Sequence, residues 1–282
     1  MIIVKLQGGL GNQMFQYAAG KSLALKNKTN FKLDLSDYID NEERSYRLKF
    51  FNIEESLATE KEIKNYKNIW NKLINEFKPW HRRSVITYKN YGFEPDLLKV
   101  GDNVYLDGYW QNEKYFSNYA VPIKKDFTLK SDLSKNAKML LNKINNCDSV
   151  SLHIRRGDYL TNKKFNQIYK NLDINYYLSA IKRINASHSE SIFLIFTDDG
   201  EWAKKLSLPC TTILVSDYKL EDYEELYLMS QCKHNIIANS TFSWWGAWLN
   251  KNQGKIVVAP KKWYKTQIYA EKNLLLPDWK II

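Results

Sequence analysis

Cysteine is scarce. There are three in 282 residues, Cys147, Cys210 and Cys232, an odd number without regular spacing. That excludes a disulfide framework and a zinc motif of paired cysteines, and it implies a reducing compartment. Cys232 and His234 are near neighbours, but two ligands do not make a metal site. A buried thiol and a capping or core imidazole are expected there. No apolar run approaches the ~20 residues of a membrane span. Met1 leads straight into a short strand, so no secretory leader is expected. Internal repeats and low-complexity tracts are absent.

What is abundant is positive charge and aromatic surface. The net charge is +11, from 42 basic and 31 acidic residues. It points to an anionic partner: a nucleotide, a nucleic acid or a membrane surface. The basic residues lack the stripe-like clustering of a nucleic-acid surface, so no nucleic acid is expected. A cytoplasmic location with a loose, salt-sensitive contact to the inner membrane surface is. Aromatics make up 14%, with nine tryptophans and nineteen tyrosines. Flat rings stack on sugars and nucleobases, and they also fill cores.

The order of elements gives the fold class. Ile2 to Leu6 is a short strand, Gln7 to Gln13 a glycine-rich turn, and Met14 to Leu25 has helical spacing. Phe31 to Asp34 is the next strand. Leu57 to Phe77 is expected to be helical, Val104 to Asp107 a strand, and Pro122 to Lys130 a connection. From Ser149 onward strands and helices alternate to Lys255–Ala259. Strands separated by helices imply parallel sheets covered on both faces. We place the domain boundary near residue 146, with an α/β domain over 1–145 and a second over 146–282.

The chemistry is concentrated at strand ends. His153-Ile154-Arg155-Arg156-Gly157-Asp158 closes an apolar strand with two arginines. Ligands bind at that edge of a parallel sheet, and guanidinium forks match phosphate. One arginine is expected on the ligand and the other braced, with Asp158 as the brace. Thr197-Asp198-Asp199 and Asn239-Ser240-Thr241-Phe242-Ser243 close two further strands. The last opens a helix, where hydroxyls and backbone N–H groups cap the helix or hold phosphate. Together the turns suggest a diphosphate clamp. Asp198-Asp199 lacks the further oxygen ligands a metal needs, and the arginines make one unnecessary. Tyr109, Trp110 and Glu113 form either a sugar-binding wall or ordinary packing. Gly9 and Gly11 supply two glycines of a dinucleotide fingerprint, but Met14 stands where the third belongs; Asp34 lies near the ribose-binding distance.

These motifs carry a resemblance. Gly8–Ala18, His153–Tyr159, Phe196–Asp199 and Asn239–Leu249 resemble, in order and across nearly the whole chain, the bacterial α-1,2-fucosyltransferases of glycosyltransferase family 11. Only residues 37–89 are unmatched. The resemblance implies a GT-B-like fold of two Rossmann-type α/β domains with parallel sheets. Residues 1–145 would take the acceptor side and 146–282 would bind GDP-fucose. It implies inverting transfer of fucose to the 2-hydroxyl of a terminal galactose, on an oligosaccharide or lipid-linked glycan, as in O-antigen biosynthesis, without a metal or other cofactor. Arg155 would hold the β-phosphate, and His153 would meet the guanine. Glu225 stands where related sequences carry an aspartate facing the guanine edge. Asn12 would lie near the diphosphate and fucose. The α-1,6 enzymes carry a catalytic glutamate ten residues beyond the motif histidine; Lys163 stands here, so that base does not transfer. Asp158 and Glu113 remain as acceptors for the hydroxyl proton. A nicotinamide-dependent oxidoreductase and a non-catalytic glycan-binding protein are the rival readings.

Overall fold

The computed structural model describes residues 1–87, 92–157, 163–265 and 274–282. The chain forms two compact units, Met1–Ser131 and Asp132–Ile282. In the first, strands β1 (Ile2–Lys5), β2 (Phe31–Asp34), β3 (Val85–Thr87) and β4 (Val104–Asp107) make a sheet of order β2-β1-β4-β3. In the second, β5 (Ser149–Ile154), β6 (Ile192–Thr197), β7 (Thr211–Leu214), β8 (His234–Ile236), β9 (Val257–Ala259) and β10 (Lys280–Ile281) pair in the order β10-β9-β8-β5-β6-β7. Every strand pairing in both sheets is parallel.

The central strands are those whose apolar runs bury both faces. Ile2, Ile3 and Val4 of β1 are fully buried. The helix Leu10–Asn27 lies close on β1 and β2 because Gly20 has no side chain. A Cβ there would stand 2.7 Å from the Phe31 ring and 3.1 Å from Val4 Cβ. The second sheet shows period-two alternation. Phe193 and Ile195 of β6 join Val150, Leu152 and Ile154 of β5 against the helix Ile174–Asn185. Leu194 and Phe196 face the other way, onto Leu140, Ile144, Leu228 and Met229.

That second cluster corrects the domain boundary. The helix Lys135–Asn145 belongs with the second unit, because Ala137, Leu140 and Ile144 pack beneath β6. The division falls at Ser131, fourteen residues before the expected position. The single helix expected over Leu57–Phe77 is two, Glu60–Lys67 and Ile69–Glu76. Asn68 ends one and caps the other, its Oδ1 accepting the Asn71 N–H at 2.8 Å. Part of the expected connection is the helix Ala120–Asp126, which tolerates Pro122 in its first turn.

The helix Thr241–Leu249 owes its position to a glycine. A Cβ on Gly246 would meet Met229 Cβ at 2.8 Å and Sδ at 3.2 Å, so the helices Asp222–Gln231 and Thr241–Leu249 touch backbone to side chain. Trp244, Trp245, Trp248 and Trp279 pack around the same helix with ring centroids 5.1–6.2 Å apart. Gly246→Ala overpacks this contact and is expected to destabilise the protein by about 1–3 kcal/mol. Urea unfolding checks it; an unchanged midpoint would mean the two helices part freely.

Candidate active site

Alternation along β5 turns His153 away from the Leu152 face, and its ring lies 5.8 Å from that of Phe242. Burial, reinforced by the neighbouring Arg155 charge, lowers the imidazole to about 3. His153 is therefore neutral at physiological pH, with Nδ1 buried and without a hydrogen-bond partner.

Beyond Ile154 the two arginines separate. Arg155 Nη1 lies 3.2 Å from Asp198 Oδ2. The Arg156 N–H donates to Asp198 Oδ1 at 2.9 Å. Its guanidinium stands 4.0 Å over the Trp202 ring, with Nε 3.7 Å from Asp199 Oδ2. Burial alone would raise the Asp198 carboxyl. Arg155 and the N–H groups of Arg156 and Gly157 instead hold it below the usual carboxylate range. Gly157 is required here, since a Cβ would fall 2.9 Å from Asp198 Oδ2 and 3.1 Å from Cγ. Asp199 Oδ1 takes the Trp202 N–H at 3.1 Å, and Thr197 Oγ1 takes the Asp199 N–H at 3.0 Å.

Thr197, Asp198 and Asp199, expected as donor contacts, are engaged within the turns. Asp198 and Asp199 brace the arginines, and both arginines are braced. The cause is the register: Ile154 of β5 pairs with Thr197 of β6, so the two turns emerge side by side. Asp158, expected as the brace and as a catalytic carboxylate, lies outside the described residues.

The third turn is built largely from its own side chains. Asn239 Nδ2 donates to the carbonyls of Lys170 and Trp263 at 2.7 and 2.8 Å. Ser240 Oγ caps the Phe242 N–H at 3.3 Å. The Ser243 hydroxyl lies 3.4 Å from the carbonyls of Ala238 and Ser240. These groups, expected on a ligand, hold the turn together. Thr241 and Phe242 are its half-buried members. Nearby in the electrostatic field, Glu225 is half-buried, and burial together with Asp222 and Asp198 raises its carboxyl to about 8. Asp198 and Glu225 are pushed in opposite directions, a pattern that separates acid and base roles.

In the first unit Gly8, not Gly9 or Gly11, takes the left-handed conformation, with φ +76°. A Cβ there would also strike Asn12 Nδ2 at 2.8 Å. The Gly8 carbonyl accepts from Gln13 Nε2 at 3.0 Å and the Tyr38 hydroxyl at 2.9 Å. Gly9 is the helix N-cap, and Gly11 is buried inside the helix. Asn12 Oδ1 accepts from Gln111 Nε2 at 2.9 Å. Arg44 reaches the loop, its Nη1 3.8 Å from where a Gly9 Cβ would stand. It comes from the stretch that matched no motif, so only the folded chain brings it here. Trp110 is fully buried against Tyr115 and stands in the core, so it corrects the sugar-wall reading; Tyr109 and Glu113 are half-buried. Asp34 is fully buried, accepting from the Tyr105 hydroxyl at 2.5 Å and the Ser36 N–H at 2.8 Å. With both oxygens engaged in the core, it cannot hold a ribose, which removes the acid of the oxidoreductase reading.

Asp148, His188 and His234 bring potential ligand atoms within 4.8 Å of one another. His234 Nδ1 accepts the Ile256 N–H at 3.0 Å, so the neutral ring carries its proton on Nε2, 3.6 Å from Asp148 Oδ1. That ring has no lone pair left for a metal. Cys232 is buried, its thiol donating to the Leu228 carbonyl at 3.4 Å.

The whole chain, residues 1–282, matches the family model described as glycosyl transferase family 11. It is 36% identical to the O-antigen biosynthesis glycosyltransferase WbnK of Escherichia coli, over 97% of this chain and 98% of that protein. It is 33% identical to an Escherichia coli alpha-1,2-colitosyltransferase, over 95% of this chain and 93% of that protein. Among solved structures, it is similar to the alpha-1,6-fucosyltransferase NodZ of Bradyrhizobium soaked with GDP-fucose, with a TM-score of 0.51 and 12% identity over 88% of this chain and 92% of that one. That likeness shows the fold, which is GT-B-like.

Glu225 leaves a mark on stability. Its carboxyl ionises near 4.5 when exposed and near 8 in the fold. The contribution favouring the folded state is complete below 4.5 and is lost as pH rises through about 8. Glu225→Gln removes the buried charge. Its melting temperature should exceed the parent's by a margin that widens from pH 5 to pH 8 and then levels. A variant that melts below the parent at pH 8 would contradict this account of Glu225.

Proposed function

Because the chain belongs to glycosyl transferase family 11 and is a glycosyltransferase, we propose that it is an inverting galactoside α-1,2-L-fucosyltransferase. It moves fucose from GDP-β-L-fucose to the 2-hydroxyl of a terminal galactose. The observation that carries this reading is the Arg155–Asp198 pair at the end of the central strand β5, beside the neutral His153. The second unit is proposed as the donor-binding half, and the first as the acceptor half.

The chemistry follows from these groups. The fucose C1–O bond to the diphosphate breaks, and negative charge develops on the GDP oxygens. The galactose oxygen attacks C1 from the opposite face and gives up its proton. A fixed guanidinium fork stabilises the leaving charge without reorganising, because Asp198 already holds it in place. Arg156 keeps the turn in shape through Trp202 and Asp199. Thr241 and Phe242 at the helix start are proposed to flank the donor. Gly9 and Asn12 are proposed donor contacts, as the family resemblance implies. Asp158 or Glu113 receives the hydroxyl proton, and Tyr109 faces the acceptor. Glu225 is proposed to accept from the guanine N1–H and N2–H, which requires its ionised form.

A colitosyl donor is the second reading. It is favoured by the 33% identity to an alpha-1,2-colitosyltransferase. Incubation with labelled GDP-fucose and GDP-colitose over a panel of β-galactosides, followed by linkage mapping, decides between them. Transfer from neither donor would overturn both.

Three outcomes are expected. Arg155→Lys should lower kcat by about 10²-fold with the fold retained, since lysine keeps charge but loses the fork; Arg156→Lys should be milder for kcat and show more in the melt. A folded Arg155→Lys enzyme with near-normal kcat would remove Arg155 from the leaving-group role. Donor KM should fall as pH rises from 7 to 9, because Glu225 titrates near 8 and only its ionised form accepts from guanine. Glu225→Gln should flatten that profile. Activity should persist in excess chelator, because Asp198 and Asp199 already serve arginines and backbone N–H groups. Loss that manganese restores would contradict it.

A further inference from the structure

The helix Ile69–Glu76 is moored on one side and apolar on the other. Asn75 faces inward, its Nδ2 donating to Ser84 Oγ at 3.0 Å and its Oδ1 accepting the Ser84 N–H at 2.9 Å. At about 100° per residue, Ile69, Trp70, Leu73, Ile74 and Phe77 fall within an arc of roughly 140° centred opposite Asn75. All five are exposed, Trp70 by 73% and Phe77 by 90%. Large side chains grouped this way mark an interaction surface rather than scattered surface residues.

Its surroundings are basic. From Glu60 to Arg83 seven lysines and arginines stand against three glutamates, a net +4. Arg83 Nε donates to the carbonyl of Lys78, one residue past the stripe, at 3.2 Å. The same segment opens a cavity of about 410 Å³ lined by His81, Arg82, Arg83 and Lys99, with Val100, Gly101, Val104 and Asp102. Asp102 accepts from the Thr29 hydroxyl at 2.9 Å, and Lys99 pairs with Asp96 at 2.7 Å. An apolar stripe bordered by arginines and a basic hollow matches acyl chains beneath anionic headgroups. A second copy of the chain would set +4 against +4.

We propose that this helix is the docking surface by which the protein rests on an anionic phospholipid bilayer, with Trp70 and Phe77 entering the headgroup–acyl boundary and a lipid phosphate seated against Arg82 and Arg83. The assignment is independent of the transfer reaction, and its test uses neither donor nor acceptor.

The test is flotation of the full chain with phosphatidylcholine vesicles, with and without about one third phosphatidylglycerol. The parent should float with the anionic vesicles at low salt and much less with the neutral ones. Trp70→Ser/Phe77→Ser should lose at least about tenfold in partition coefficient, by the transfer value of two large apolar side chains. Arg82→Glu/Arg83→Glu should lose a similar factor on anionic vesicles only. The melting temperature of Trp70→Ser/Phe77→Ser should match the parent, because both side chains are exposed; Arg82→Glu/Arg83→Glu gives up the Arg83–Lys78 hydrogen bond, and the same melt checks that it is folded. Absence of flotation, or flotation of Trp70→Ser/Phe77→Ser at the parental level, would overturn the proposal. So would a parental dimer that this variant splits without any change in lipid binding, because the stripe would then be a contact between copies.

Discussion

Everything at the candidate site depends on two carboxylates that arrive from a neighbouring strand. An arginine pair at a strand end would repel itself and move freely. Asp198 takes Arg155 and two backbone N–H groups, and Asp199 takes Arg156. The cost of partly desolvating the Asp198 carboxylate is offset by hydrogen bonds and an opposite charge. The pairing exists only because β5 and β6 are adjacent and in register. Mutual bracing of this kind lets a guanidinium wait in one orientation, and preorganisation is what an electrostatic catalyst needs.

Much of the architecture was legible because buried parallel strands are continuous apolar runs. Ser149–Ile154 and Ile192–Thr197 were read from Val, Leu, Ile and Phe alone, and the helices after them from periodicity. The domain boundary was not legible. The helix Lys135–Asn145 reads the same whichever sheet it covers, and only Leu194 and Phe196 decide. The strand Val85–Thr87, three residues long in a polar stretch, gave no periodic signal.

The candidate site was legible as a set of turns but not as a set of contacts. Arg155 and His153 stand where the spacing put them. The roles of Asp198 and Asp199 depended on strand adjacency, which a linear sequence does not state. Hydroxyl and amide side chains have two uses, turn building and ligand binding, and residue type cannot choose between them. Asn239 and Ser243 turned inward; Trp110, an aromatic among polar neighbours, went to the core. Gly8 could have been found, since three glycines in four residues make one left-handed residue probable only in the geometry of a turn that must admit Asn12.

The order of the second sheet has a consequence for biosynthesis. β5 lies between β6 and β8, and its Ser151 meets Asn235 across 84 residues of chain. As the polypeptide leaves the ribosome, β5 can pair on one side once β6 has emerged, while its other edge stays bare until β8 follows. A bare edge of an apolar strand is a template for the wrong partner. The first unit closes much earlier, when β4 reaches β1. The strand order thus sets the sequence in which the two sheets can be completed on the nascent chain, the first before the second.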